Sequence, residues 1–173
     1  MAVNQFNLAQ HQRAERKLLM TVAEWVEGTT TERELLGRRT EDSSIEYNAD
    51  QSTSTDILGI NYTDINKTQP QQDFDPYLIL GGSKLGAKLN DIRKRNALSE
   101  LSQFTLYIIT GYVGNSTDGY EAEKHTNCTI SYNSLGGDAN VNMPISVYFS
   151  NEITNGTVDK LADDFVFTPS PTV

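Results

Sequence analysis

The chain has 173 residues, of which 37% are hydrophobic and 21% charged, and its formal net charge is −9. This length fits one globular domain, and the sequence holds no apolar run of the roughly 18 residues that a membrane-spanning helix requires. The single cysteine, Cys128, excludes an internal disulfide framework and a zinc site built on several cysteines, and the acidic balance excludes tight, sequence-independent DNA binding.

The N-terminal third predicts an arm, a strand and a long loop. Residues 1–16 are polar and predict an arm that is ordered only where it docks, and the absence of an apolar run there predicts no signal peptide. Residues 18–27 carry apolar side chains on both faces, which predicts a strand buried on both sides, although periodicity alone leaves a helix open. Residues 28–31 predict a turn. Residues 37–54 predict a long loop with one short strand at 45–47, and long ordered loops often carry a function.

The middle of the chain predicts a strand pair followed by a helix. Residues 55–62 predict a strand with a bend at Gly59, and 63–68 predict a strand pairing back onto it. Prolines 70 and 76 then interrupt the sheet, because proline removes a backbone donor.

The helix signal spans residues 84–95. Ser83 supplies an N-cap hydroxyl, and Leu85, Leu89 and Ile92 recur at helical spacing. Three basic residues at 93–95 complement the helix dipole, which explains most of the short basic stretch in this acidic chain.

The C-terminal half predicts further strands. Residues 103–113 are apolar on both faces, and 127–133 and 145–150 alternate between apolar and polar positions, with a turn at 136–138 between the two. A short strand at 165–167 precedes the C-terminal tail, 169–173. We therefore predict a mainly β fold, a β-sandwich or barrel of about seven strands with one flanking helix, in a single domain over 17–168.

Catalytic chemistry finds little support in the sequence. No metalloprotease, nucleophile-elbow or P-loop motif occurs, and residues 80–84 fit helix capping better than a phosphate cradle. A pairing of Cys128 with His125 is disfavoured because residues three apart in a strand point to opposite faces. The adjacent acids at 41–42 and 163–164 lack calcium-loop spacing. We predict no enzymatic activity, no cofactor and no metal.

Polar arms at both ends and a long acidic loop are typical of proteins that assemble with copies of themselves. In its layout, and in the stretches RRTEDSSIEYNADQSTSTDILG and NKTQPQQDFDPYLILGG, the chain resembles the major tail (tail tube) proteins of long-tailed bacteriophages.

The resemblance implies a virion protein, made in the host cytoplasm, that forms stacked hexameric rings through which DNA passes without specific binding. It implies contacts with other copies and with the initiator or tip complex, the tape measure and the terminator, and none with a membrane. A negative wall would repel the phosphates of DNA in transit. The resemblance implies channel-lining acids at Glu46, Asp56 and Asp64. It also implies a ring-stacking loop over 37–54, whose charged members are Arg38, Arg39, Glu41, Asp42 and Asp50.

A decoration protein or a carbohydrate-binding β-sandwich module is the alternative. Such a module normally shows an exposed aromatic cluster, whereas Trp25 is alone and the tyrosines are spread through the predicted strands. The two classes differ in assembly: a tube protein polymerises as its concentration rises, whereas a binding module stays a small oligomer at any concentration.

Overall fold

The structure, a computed structural model, describes residues 6–171. The first five residues of the predicted arm and the last two of the predicted tail lie outside the described residues. Within that range the fold is mainly β with one α-helix, as predicted. In chain order the elements are β1 (Leu19–Glu27), β2 (Thr30–Leu35), β3 (Ile45–Glu46), β4 (Asp50–Thr55), β5 (Asn61–Lys67), β6 (Gln71–Phe74), α1 (Lys84–Arg95), β7 (Phe104–Asn115), β8 (Gly119–Tyr132), β9 (Ile145–Tyr148), β10 (Ile153–Val158) and β11 (Phe167–Pro169).

The main sheet is antiparallel and runs in the order β2-β1-β7-β8-β9-β6-β3, with β10 also paired to β8 and β11 to β10. The 14-residue strand β8 belongs to both layers of the sandwich. Its first part pairs with β7 and β10, and its last part, Thr129–Tyr132, pairs with β9. Between them Asn127 adopts a positive φ of 56°, where the β7 register slips. A bulge of this kind bends a strand, so β8 passes from one layer to the other.

The larger hydrophobic core lies between these layers and α1. Leu85, Leu89 and Ile92, the stripe that predicts the helix, are completely buried, and they pack with Trp25 and Phe104 among others. The helix has the predicted bounds, and the Ser83 hydroxyl accepts a hydrogen bond from the Gly86 amide, as an N-cap should. A second core contains Val22, Tyr107, Ile109, Ala122, Val158 and Phe165.

The predicted strand at 55–62 is wrong, because Asp56–Ile60 form the turn between β4 and β5. The strand predicted at 165–167 begins only at Phe167, after Phe165 has entered the second core. The estimate of about seven strands was low because β2, β4, β6 and β10 were not predicted: their residues are mostly polar, and β4 lies almost wholly within the predicted loop. The first part of β8 was also not predicted, so that strand is longer than expected.

Glu100 holds the C-terminal end of α1 through Arg95, whose two terminal guanidinium nitrogens donate to its carboxylate at 2.9 and 3.1 Å, and through Lys88 at 3.1 Å. These partners, Arg95 first, lower the pKa of Glu100 from its ordinary 4.5 to about 2. A depressed folded-state pKa stabilises the fold above the unfolded-state value, and this stabilisation is lost as the pH falls towards the folded-state value.

We therefore expect wild type to unfold at a higher temperature than Glu100→Gln above pH 4.5. We expect this difference to shrink as the pH is lowered from 4.5 towards about 2. Thermal unfolding followed by circular dichroism across this pH range measures it. A difference that stays constant with pH would contradict the assignment.

Candidate assembly surface

A β-hairpin stands apart from the sandwich. Its strands β4 and β5 form a separate two-stranded sheet, in which Ser52 lies opposite Asp64 and Ser54 opposite Tyr62. Every residue of both strands is exposed. Residues 50–67 are called the hairpin below, and residues 56–60 its tip. Because an isolated two-stranded hairpin is marginally stable in water, an unsupported one of this length indicates a surface meant for a partner.

The tip is an ordered turn built by Asp56. One of its carboxylate oxygens accepts hydrogen bonds from the amides of Leu58 at 2.8 Å and Ile60 at 2.9 Å, and the other accepts from the Tyr62 hydroxyl at 3.0 Å. The Ile60 bond is the main cause that lowers the pKa of Asp56. Gly59 has a φ of 80°, a left-handed conformation that glycine adopts without strain. The turn is therefore specified by its own residues.

The tip presents apolar side chains to solvent. Ile57 is fully exposed and Leu58 is 78% exposed, and Ile60, Tyr62 and Ile65 nearby are each about half exposed or more. Single exposed apolar residues are normal, but a contiguous group marks an interaction site.

The base of the hairpin is fixed to the sandwich. The Gln69 amide donates to the Tyr47 carbonyl at 2.8 Å, the Asn48 side chain donates to the Gln69 carbonyl at 3.2 Å, and β3 pairs with β6 next to this point. The hairpin therefore leaves the sheet from a defined edge.

The predicted channel-lining acids occupy different places. Asp64 lies in the middle of β5, and Glu46 lies in β3 opposite Gln71. Asp56 shapes the turn at the tip. Asp56 and Asp64 thus share the hairpin, while Glu46 lies near its base.

The predicted stacking residues fall in three local settings. Arg38 and Arg39 lie in a turn after β2, where the Thr40 amide donates to the Gly37 carbonyl and Arg39 has a φ of 61°. Glu41 and Asp42 lie on the exposed connection to β3, and Asp50 begins β4 opposite Lys67. All five predicted residues are exposed. The loop predicted to end at residue 54 continues in space to Lys67, so the apolar tip was missed by the sequence analysis. Its signal, an Asp-x-x-Gly turn amid apolar residues, had been interpreted as a bent strand.

From Phe6 onwards, where the structure describes it, the N-terminal arm docks on the subunit's own sheet. Phe6 forms a β-bridge to Val113 and packs on Tyr112 at 5.7 Å between ring centroids, and the Asn7 amide donates to the Tyr112 carbonyl. Phe6 nevertheless remains 64% exposed. The arm therefore extends the edge of β7 through a small contact area.

The two side chains best suited to nucleophilic chemistry, His125 and Cys128, are engaged in structural contacts. His125 and Cys128 are both buried, because the bulge at Asn127 breaks the strict alternation on which the sequence argument relied. The His125 ring contacts the Ser150 carbonyl and Glu123, the Cys128 thiol donates to the His125 carbonyl, and burial raises the pKa of the thiol.

Over residues 6–171 no group of three or more His, Cys, Asp or Glu side chains is arranged to hold a metal ion. In the same range no helix is long and apolar enough to cross a membrane.

No protein-family model and no curated protein matches the chain. Among solved structures it is similar to the tube terminating cap of the anti-feeding prophage, determined by cryo-EM, with a TM-score of 0.51 at 13% identity over 91% of this chain and 99% of that chain. A chain of the 6-fold symmetrised baseplate of the same prophage aligns with a TM-score of 0.46 at 8% identity over 86% of this chain and 97% of that one. At 13% identity, the likeness to the cap shows a shared fold.

Proposed function

We propose that this chain is a structural subunit of a phage tail and that it assembles into stacked hexameric rings forming the tail tube through which DNA passes. Its site of action is the tail of the virion. Its partners are other copies of itself and the tail proteins that start, measure and terminate the tube.

The exposed hairpin carries this proposal. Its apolar tip has no partner surface among residues 6–171, as the exposure of Ile57 and Leu58 shows. Burial of such side chains contributes about 1.5–3 kcal/mol each, so a contact that covers them is favourable. A hairpin that docks on a different surface of a second copy makes a heterologous contact, the type that builds rings or filaments.

Two further observations support a tube. The fold is shared with the tube terminating cap of the anti-feeding prophage. The net charge of −9 suits a channel wall that repels DNA phosphates.

On this proposal Glu46 and Asp64 face the channel, and the connection from Arg38 to Asp50 together with the hairpin stacks one ring on the next. Asp56, the third predicted acid, instead holds the tip that makes the stacking contact. Glu46 and Asp64 are the better positions at which to change charge without breaking the turn.

A tube terminator is the second candidate function, favoured by the likeness to the anti-feeding prophage cap. A terminator closes a tube as a single ring and does not stack on itself. A decoration or carbohydrate-binding module remains the third, and it would not grow with concentration.

Negative-stain electron microscopy of the purified protein over a concentration series tests the proposal. We expect rings with a central channel that stack into tubes as the concentration rises. Single rings that never stack would favour the terminator, and small discrete particles at every concentration would contradict both ring-forming functions.

A further inference from the structure

An apolar groove opens beside β1 and the end of β2. It has a volume of about 380 Å³, and its apolar lining consists of Leu19, Met20, Leu35, Leu36 and Phe74. Leu36 and Phe74 belong to the main core, whereas Leu19, Met20 and Leu35 are only partly covered. The groove therefore gives access from solvent to the edges of both cores.

The rim of the groove is basic. Arg16, Lys17 and Arg38 line it against one acid, Glu41. Lys17 forms an ion pair with Glu15. The Arg16 guanidinium instead donates hydrogen bonds to the backbone carbonyls of Leu19 at 2.6 Å and Ser43 at 2.7 Å. Among residues 6–171, Arg16 and Arg38 make no ion pair, so their charges are available to an acidic partner.

The hairpin complements this groove in apolar character and in charge. Its tip offers two exposed branched apolar side chains, and its three aspartates against one lysine give residues 50–67 a net charge of −2. An apolar tip flanked by acids complements an apolar groove flanked by cations.

The subunit's own hairpin does not fill its own groove. Ile57 and Leu58 would be buried if it did, yet they are exposed. Strand β4 alone spans about 20 Å at roughly 3.3 Å per residue, which carries the tip away from the base beside β3.

We propose that the tip of one subunit's hairpin inserts into the groove of a second copy of this chain. The inference rests on the proposed function and specifies its stacking contact. The tip and the groove are different surfaces of the subunit, so the contact is heterologous and each added copy presents a fresh tip and a fresh groove.

Crosslinking between two variants, each with one introduced cysteine, tests this contact. Arg38→Cys places a thiol on the exposed rim, and Leu58→Cys places one on the exposed tip, while the native Cys128 is buried. One variant carries a size tag, so a product containing one copy of each is recognised on a denaturing gel. The matched control replaces Arg38→Cys by Ser99→Cys, at an exposed position in the 3₁₀ helix after α1.

With a short bismaleimide we expect the mixed product to form at least about tenfold faster from Arg38→Cys with Leu58→Cys than from the control pair, because docking raises the effective thiol concentration to the millimolar range. Equal rates would overturn the inference. If tubes form while the rates are equal, the proposed function stands and only the docking site is wrong. If the specific product forms but electron microscopy shows no rings or tubes, the docking site stands and the proposed function fails.

Discussion

Replacing both apolar tip residues by serine, Ile57→Ser with Leu58→Ser, is expected to abolish ring stacking and leave the folded subunit intact. Neither side chain is buried in the subunit, so the free energy of unfolding should change by less than about 0.5 kcal/mol. In the assembly each buried side chain contributes about 1.5–3 kcal/mol, and the loss repeats at every contact. Urea unfolding measures the first effect, and light scattering with electron microscopy over a concentration series measures the second.

Leu98→Ser is the matched control, since Leu98 is 53% exposed in the 3₁₀ helix after α1, away from the hairpin. We expect it to assemble like wild type. Normal tubes from the double tip variant would remove the hairpin from the stacking contact.

A variant without the hairpin makes the same test more stringent. The Tyr47 and Gln69 backbones are already hydrogen-bonded at its base, so residues 50–67 can be replaced by a two-residue turn. Deleting 41–50 instead would remove β3, which pairs with β6, and Ser43, whose hydroxyl donates to the Asp73 carbonyl. A loss of assembly in that deletion would reflect a damaged sheet edge.

The sequence predicts best where one local pattern determines the structure. Helix α1 has the predicted bounds because its N-cap, its apolar stripe and its basic last turn agree. Strand β9 begins where the alternation predicted it, and Ile145 and Val147 are buried as expected, but Ser146 between them is buried as well. Strand β10 was missed because its residues 153–155 are exposed and its pairing with β8 is a long-range contact that no local pattern encodes.

The candidate site shows the same limit. Its loop was predicted as a stacking element, but its apolar tip was interpreted as a strand with a bend at Gly59. A run such as Ile57-Leu58 does not say whether a core or a partner buries it. The groove was also missed, since it forms where β6 meets β1 and β2, which lie more than 30 residues earlier in the sequence. A surface that is buried only in the assembly can therefore be recognised in the tertiary structure of the subunit, where it remains exposed, but not in the sequence.

A single carboxylate on β2 joins that strand to the start of the helix. Glu34 accepts hydrogen bonds from the Tyr77 hydroxyl at 2.8 Å, from the Ser83 hydroxyl at 3.0 Å and from the Leu85 amide at 3.0 Å. Burial raises the pKa of Tyr77, so its hydroxyl stays a donor. A negative charge at a helix N-terminus also interacts favourably with the helix dipole.

Glu34→Ala is therefore expected to lower the free energy of unfolding by about 3 kcal/mol. It leaves the Leu85 amide without an acceptor in a partly buried place, and, since the Tyr77 and Ser83 hydroxyls can still bond each other at 3.0 Å, one of these two hydroxyls as well. Glu32→Ala is the matched control. Glu32 lies two residues away on the same strand, and within the described range 6–171 its ion-pair partner is the exposed Lys84, so its loss should be several-fold smaller. Urea unfolding of both variants measures the difference. Equal losses would mean that Glu34 contributes no more to holding α1 than an ordinary surface acid.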